Sequence, residues 1–189
     1  LPEFVKTMAA ETAKEKGLEG WVFTLQAPSY GPFMQYSKVR NLREDMWKAY
    51  NSRALGGEFD NSDVVKKIVD LRIKTANILG YETWADYQLE ERMAKDRNTV
   101  NEFISQLLEP SMEFAKKDVE SVFNYAKKNG FDGDKLMPWD FSFWSERYQE
   151  AEYSLNAEEL KPYFRLENCI DAVFSLANRL YGLEFVELD

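Results

Sequence analysis

Residues 61–80 read NSDVVKKIVDLRIKTANILG, and this stretch decides the fold class. Val64, Ile68, Leu71, Thr75 and Ile78 recur at steps of four and three, the spacing that lines up side chains on one face of an α-helix. Lys66, Lys67, Arg72 and Lys74 fall mostly off that stripe. Asn61 and Ser62 offer oxygens to cap the first turn. Gly80 is suited to the left-handed position that closes a helix.

The same period runs through most of the chain. Upstream, Val39, Leu42, Met46, Ala49 and Tyr50 share a stripe that begins at Ser37 and stops at Gly56-Gly57. Residues 2–16 put Phe4, Val5, Met8, Ala9, Thr12 and Ala13 on one face, and Gly17 ends them. Between these two helices the period changes. From Gly20 to Gln26, Trp21, Phe23 and Leu25 alternate with Val22, Thr24 and Gln26, which predicts a strand. Ala27-Pro28-Ser29-Tyr30-Gly31-Pro32 reads as a turn-rich break.

Downstream, a short helix is expected over Trp84 to Ala94. Thr99-Val100-Asn101-Glu102 fits a capping box. Val100, Ile104, Leu107, Ala115, Val119, Val122 and Ala126 follow as a stripe, with a kink or break expected at Pro110. Gly130 and Gly133 mark a loop, and Pro138 opens an aromatic helix carrying Trp139, Phe143, Trp144, Tyr148 and Ala151. Asn156 can cap a short turn to Lys161, where Pro162 prevents continuation. A last helix carries Ile170, Val173, Ala177 and Leu180, closed by Gly182. The expected fold is mainly α: a multi-helix lobe with one or two short strands, the second over Phe185-Val186-Glu187-Leu188-Asp189. Its expected sub-parts are a helix-strand-helix segment, 1–57, and a helical bundle segment, 58–189.

Composition narrows the function. With 44% hydrophobic and 15% aromatic residues, the 189-residue, 22.1 kDa chain can bury a core. A formal net charge of -9 argues against nucleic-acid and anionic-membrane surfaces, which need clustered Lys and Arg. A single cysteine excludes an intramolecular disulfide. The absence of histidine removes Ser-His-Asp and Cys-His catalysis and every histidine-based metal motif. A metal site would need oxygen ligands alone, or oxygen with Cys169. No secretory signal is visible.

Four features invite a functional reading. The aromatics Trp139, Phe141, Phe143, Trp144 and Tyr148 could line a peptide or sugar groove, although helical spacing favours core packing. Asp140 among them could be a desolvated general acid, although a cap or an arginine partner is the commoner role. The pairs Glu44-Asp45, Glu90-Glu91 and Glu158-Glu159 could bind Ca²⁺ or steer cations, but they sit on helices without a ligand loop and read as solvated faces. Cys169, in an apolar half-helix, reads as a small buried residue. The chain opens on Leu1 and closes on a strand-like alternation, so it is expected to be an excised piece of a longer protein.

Taken in order, the segments resemble a known family. Trp21 to Tyr30 reads WVFTLQAPSY; Gly31 to Tyr36 reads GPFMQY; Asn41-Leu42-Arg43-Glu44, Ala49-Tyr50 and Ser52-Arg53-Ala54 follow. Then come Leu71-Arg72, Leu79-Gly80-Tyr81, Trp84-Ala85, Met93-Ala94 and Pro138-Trp139-Asp140. Glu159-Leu160-Lys161-Pro162-Tyr163-Phe164, Leu166-Glu167 and Tyr181-Gly182-Leu183-Glu184-Phe185 complete the series. This ordered set, covering Gly20 to Phe185, resembles the zinc metallopeptidases of the thimet-oligopeptidase, oligopeptidase A and peptidyl-dipeptidase family, with the peptidyl-dipeptidase branch the nearer.

The resemblance implies a parent enzyme of two largely helical lobes around a channel for short oligopeptides. It implies zinc held by an H-E-x-x-H helix and a downstream Glu, all lying beyond this chain. No catalytic residue and no metal ligand is therefore assigned here, and substrate-binding residues remain unassigned. Pro28-Ser29-Tyr30 and Pro138-Trp139-Asp140 are read as scaffold. The implied partners are an oligopeptide substrate and the catalytic lobe, with no nucleic acid or membrane. A non-native dimer through an exposed apolar face is a further expectation. The cytoplasm is the expected location, with the periplasm also open. Two other classes compete: a stand-alone helical peptide-binding module, and a carboxylate-only hydrolase using Asp140 with Glu146 or Glu150.

Overall fold

A computed structural model describes residues 1–154 and 159–186. Among them the chain is mainly α-helical: α1 (Glu3–Glu15), α2 (Ala27–Tyr36), α3 (Arg40–Asn51), α4 (Ser62–Ile78), α5 (Trp84–Leu89), α6 (Arg97–Lys128), α7 (Pro138–Tyr153) and α8 (Leu166–Tyr181). A 3₁₀ turn, Lys161–Tyr163, precedes α8. The chain divides into two compact units, Leu1–Glu146 and Arg147–Asp189.

The core of the first unit follows from helical spacing. Val5, Ala9 and Ala13 recur every four residues and form the buried edge of α1. Phe33 and Met34 of α2 meet Trp139 of α7, and Phe23, Tyr30, Met46, Trp47 and Met137 close around them. Tilted ring pairs fix this packing, Phe23 on Phe33 at 4.7 Å and Trp47 on Trp139 at 5.6 Å. Val122 and Ala126, at the end of α6, are buried as well.

Residues 20–26 are not a strand. A strand needs a partner ladder, and the amides here find other acceptors: Val22 N–H donates to the Ala9 carbonyl at 3.0 Å and Thr24 N–H to Ser29 Oγ at 2.9 Å. The Pro-rich run expected to be a break is instead the start of α2. Pro28 sits in the first turn, where a backbone donor has no helical acceptor, and Pro32 removes only one further bond. Among the described residues no strand forms. Phe185 and Val186 carry no strand, and Glu187-Leu188-Asp189 lie outside the described residues, as do Asn156 and Glu158.

Helix positions shift in instructive ways. The capping box sits on α5, where Thr83 and Asp86 exchange bonds, and α5 ends at Leu89 rather than at Ala94. The cap of α6 is Asp96, whose carboxylate accepts from Thr99 N–H at 2.9 Å and Thr99 Oγ1 at 2.8 Å, so Thr99 is inside the helix. The helix then runs unbroken through Pro110. Pro138 opens α7 and Gly182 closes α8 in the left-handed region, as the spacing predicts.

The Asp96 bonds hold its carboxyl below the usual carboxylate range, first through the Thr99 amide. A lowered folded value means that capping is fully present above pH ~4, the ordinary value, and is lost as pH falls through the folded one. The expected result is that Asp96→Ala speeds amide exchange at Thr99 several-fold near neutral pH. It should also remove the acid-induced fraying expected of this turn in the unsubstituted chain as pH falls below about 4.

Candidate functional site

Only part of the apolar stripe read on α3 faces inward: Met46 packs on the core and Tyr50 stacks on Tyr30. Val39 and Leu42 are exposed, and the buried residue of the helix is Arg43. Arg40 and Arg43 stand three apart at the start of α3, so both reach one point. That point is Asp140, in the first turn of α7 and fully buried. Asp140 Oδ1 accepts from Arg40 Nε at 2.9 Å and Arg43 Nη2 at 3.1 Å. Oδ2 accepts from Arg40 Nη2 at 2.8 Å and the Met137 amide at 3.1 Å. Arg43 donates further to the carbonyls of Trp139 at 2.9 Å and Ser37 at 2.8 Å, and its guanidinium lies 4.1 Å from the Phe143 ring centre.

Burial pulls the Arg43 guanidinium below its ordinary value, opposed by its bond to Asp140, while that same carboxylate raises Arg40. Two donors per oxygen fill the lone-pair directions of Asp140. The cluster is a clamp of charge-assisted bonds between α3 and α7. Asp140 thus takes the arginine-paired role weighed in the sequence, and its bond from the Met137 amide makes it a cap too.

The other candidates fall into place. Trp139 and Phe143 are core, Phe141 is exposed, and Trp144 packs edge-on against Phe143 at 5.2 Å and Phe131 at 6.0 Å. The indole Nε1 of Trp139 is buried without an acceptor. Glu146 accepts from Tyr36 Oη at 3.0 Å. Tyr148 and Glu150 belong to the second unit. Glu44 pairs with Lys48 at 2.7 Å, Glu90 accepts from Tyr81 Oη, and Glu159 is exposed. Cys169 is half-buried rather than buried. Among the described residues no group of three or more His, Cys, Asp or Glu side chains could hold a metal ion, so these residues do not fit as the holder of a catalytic zinc. No described helix is long and apolar enough to cross a membrane.

Sequence reasoning missed the two arginines. The signal was there: Arg40 and Arg43 at i, i+3 on a helix, and one acid inside an aromatic run.

Fold and cluster together define a helical scaffold whose buried charges serve structure. Residues 33–189 match Peptidase family M3, and the chain belongs to that family. It is 39% identical to probable cytosolic oligopeptidase A of Arabidopsis thaliana over 197 residues, covering all of this chain and 28% of that protein. Against oligopeptidase A of Escherichia coli K12 the identity is 35%, covering 97% of this chain and 28% of the relative. Against dipeptidyl carboxypeptidase of Salmonella typhimurium LT2 it is 30%, covering 96% and 27%. The chain thus spans about a quarter of the length of the curated relatives it matches.

Proposed function

We propose that this chain is a non-catalytic scaffold segment of a longer zinc-dependent oligopeptidase, inactive by itself. The observation that carries the reading is the pairing of full coverage here with 28% coverage of the oligopeptidase A relative. The Asp140 clamp supports it, because the one buried carboxylate in the aromatic run is committed to structure. The carboxylate-only hydrolase loses its acid for the same reason. A peptide groove on the aromatic run loses support because Trp139 and Phe143 point inward.

The substrate class is oligopeptides. Identity of 39% to an oligopeptidase A against 30% to a dipeptidyl carboxypeptidase favours the oligopeptidase A branch. Release of carboxy-terminal dipeptides, the sequence expectation, stands as the second reading, and similarity to the dipeptidyl carboxypeptidase supports it. A relative named cytosolic at 39% identity supports a cytoplasmic location, and one named chloroplastic/mitochondrial at 38% supports an organellar one.

Zinc titration tests the segment reading. The 189-residue chain is expected to take up no stoichiometric zinc in calorimetry and to melt at the same temperature with and without the metal. One tightly held zinc per chain would overturn the reading.

A further inference from the structure

The first unit exposes two apolar helix faces in full. Every residue from Asn101 to Glu120 of α6 is exposed, including Ile104 (52%), Leu107 (54%), Met112 (45%) and Val119 (48%). These four recur at helical spacing and form one seam, while Glu102, Glu109, Glu113 and Glu120 line the opposite side. The helix therefore has a face made for water and a face made for protein, and water touches both. On α4 the only buried residue is Ala76, and Val64, Ile68, Leu71 and Ile78 form a second uncovered seam. Each seam is about 22 Å long at the rise of an α-helix, enough to take four turns of another helix. Where α6 meets the following loop, Met112, Ala115, Val119, Phe123 and Leu136 line an open groove of about 540 Å³.

The area is large. The chain exposes 15172 Å². Separate compact domains of 146 and 43 residues would together expose about 11,000 Å². The surplus of about 4,000 Å², summed over both units, is more than the roughly 1,000–2,500 Å² that one partner contributes to an obligate interface. The relatives carry more than three times this length of chain, so the material to cover such a surface exists in the same polypeptide.

We propose that the α6 seam with its groove, and the α4 seam, are the faces on which the rest of the M3 polypeptide packs, through apolar helices of its own. This rests on the segment reading above. The acidic stripe of α6 stays in water, which fixes the side from which the covering helices approach.

Hydrogen exchange on residues 101–120, in the 189-residue chain and in the full-length gene product, tests the proposal. Exchange is expected to be at least a hundredfold slower in the full-length product. Sedimentation of the 22.1 kDa short chain shows whether the dimer expected from the sequence forms. The pair Ile104→Lys and Leu107→Lys should leave the helix content of the short chain unchanged and abolish the added protection in the long one. Equal exchange in both would overturn the proposal. So would a dimer of the short chain that alone protects 101–120, since a second copy would then be the occupant. An active long enzyme with fast exchange defeats the seams and leaves the segment reading standing. A native polypeptide of 189 residues defeats both.

Discussion

Asp140→Asn is expected to destabilise the first unit by about 3–5 kcal/mol, the range for breaking a buried ion pair by removing one partner. The substitution keeps the volume and removes the charge. Arg43, 2% exposed, then remains in the core with its charge uncompensated, and it cannot turn to water because the Trp139 and Ser37 carbonyls and the Phe143 ring hold it. Arg40 is different. Its side chain is 42% exposed, so Arg40→Ala should cost only about 1 kcal/mol, near the upper end for surface pairs. Urea unfolding followed by far-ultraviolet circular dichroism separates the two. Equal small losses, each under about 1 kcal/mol, would show that the clamp is not what joins α3 to α7.

That clamp also shows where sequence reading stops. Helix period located α1, α4 and the body of α8 from Ile170, because a stripe at steps of three and four is a local property, and Pro138 marked the start of α7. It also made Val39, Leu42, Val64 and Ile68 look like core, and all four are exposed. Period reports which face is apolar but not what covers it. The strand at 20–26 failed for a related reason: alternation describes a chain that could pair, and pairing needs a partner absent among the described residues. Proline was over-read at Pro28, and at Pro110 the helix continues, so of the kink or break expected there the break does not form. In the first case an early helical position makes the missing donor harmless. Asp140 was located and both of its possible roles were stated. Its arginines lie about a hundred residues away in sequence, and no local pattern connects them.

Pro110→Ala is expected to strengthen α6 by about 3 kcal/mol, the interior cost of proline relative to alanine. Position 110 lies well inside the helix Arg97–Lys128 and is exposed, so alanine loses no packing there. Proline deprives the Gln106 carbonyl of its donor and presses its ring on the same group. Nearby, Ser111 Oγ donates to the Leu107 carbonyl at 2.5 Å, a local bond of the kind that slightly weakens and often bends a helix. The substitution should slow amide exchange around residues 111–114 by about a hundredfold, since about 1.4 kcal/mol corresponds to a factor of ten. Unchanged exchange would mean that α6 already accommodates the proline without loss.

Cleavage of a fluorogenic oligopeptide, by the purified 189-residue chain beside the full-length gene product, tests the central claim most directly. Turnover by the long polypeptide, abolished by chelator, is expected, and none by the short one with or without added zinc. Chelator-resistant hydrolysis by the 189 residues on their own would contradict it.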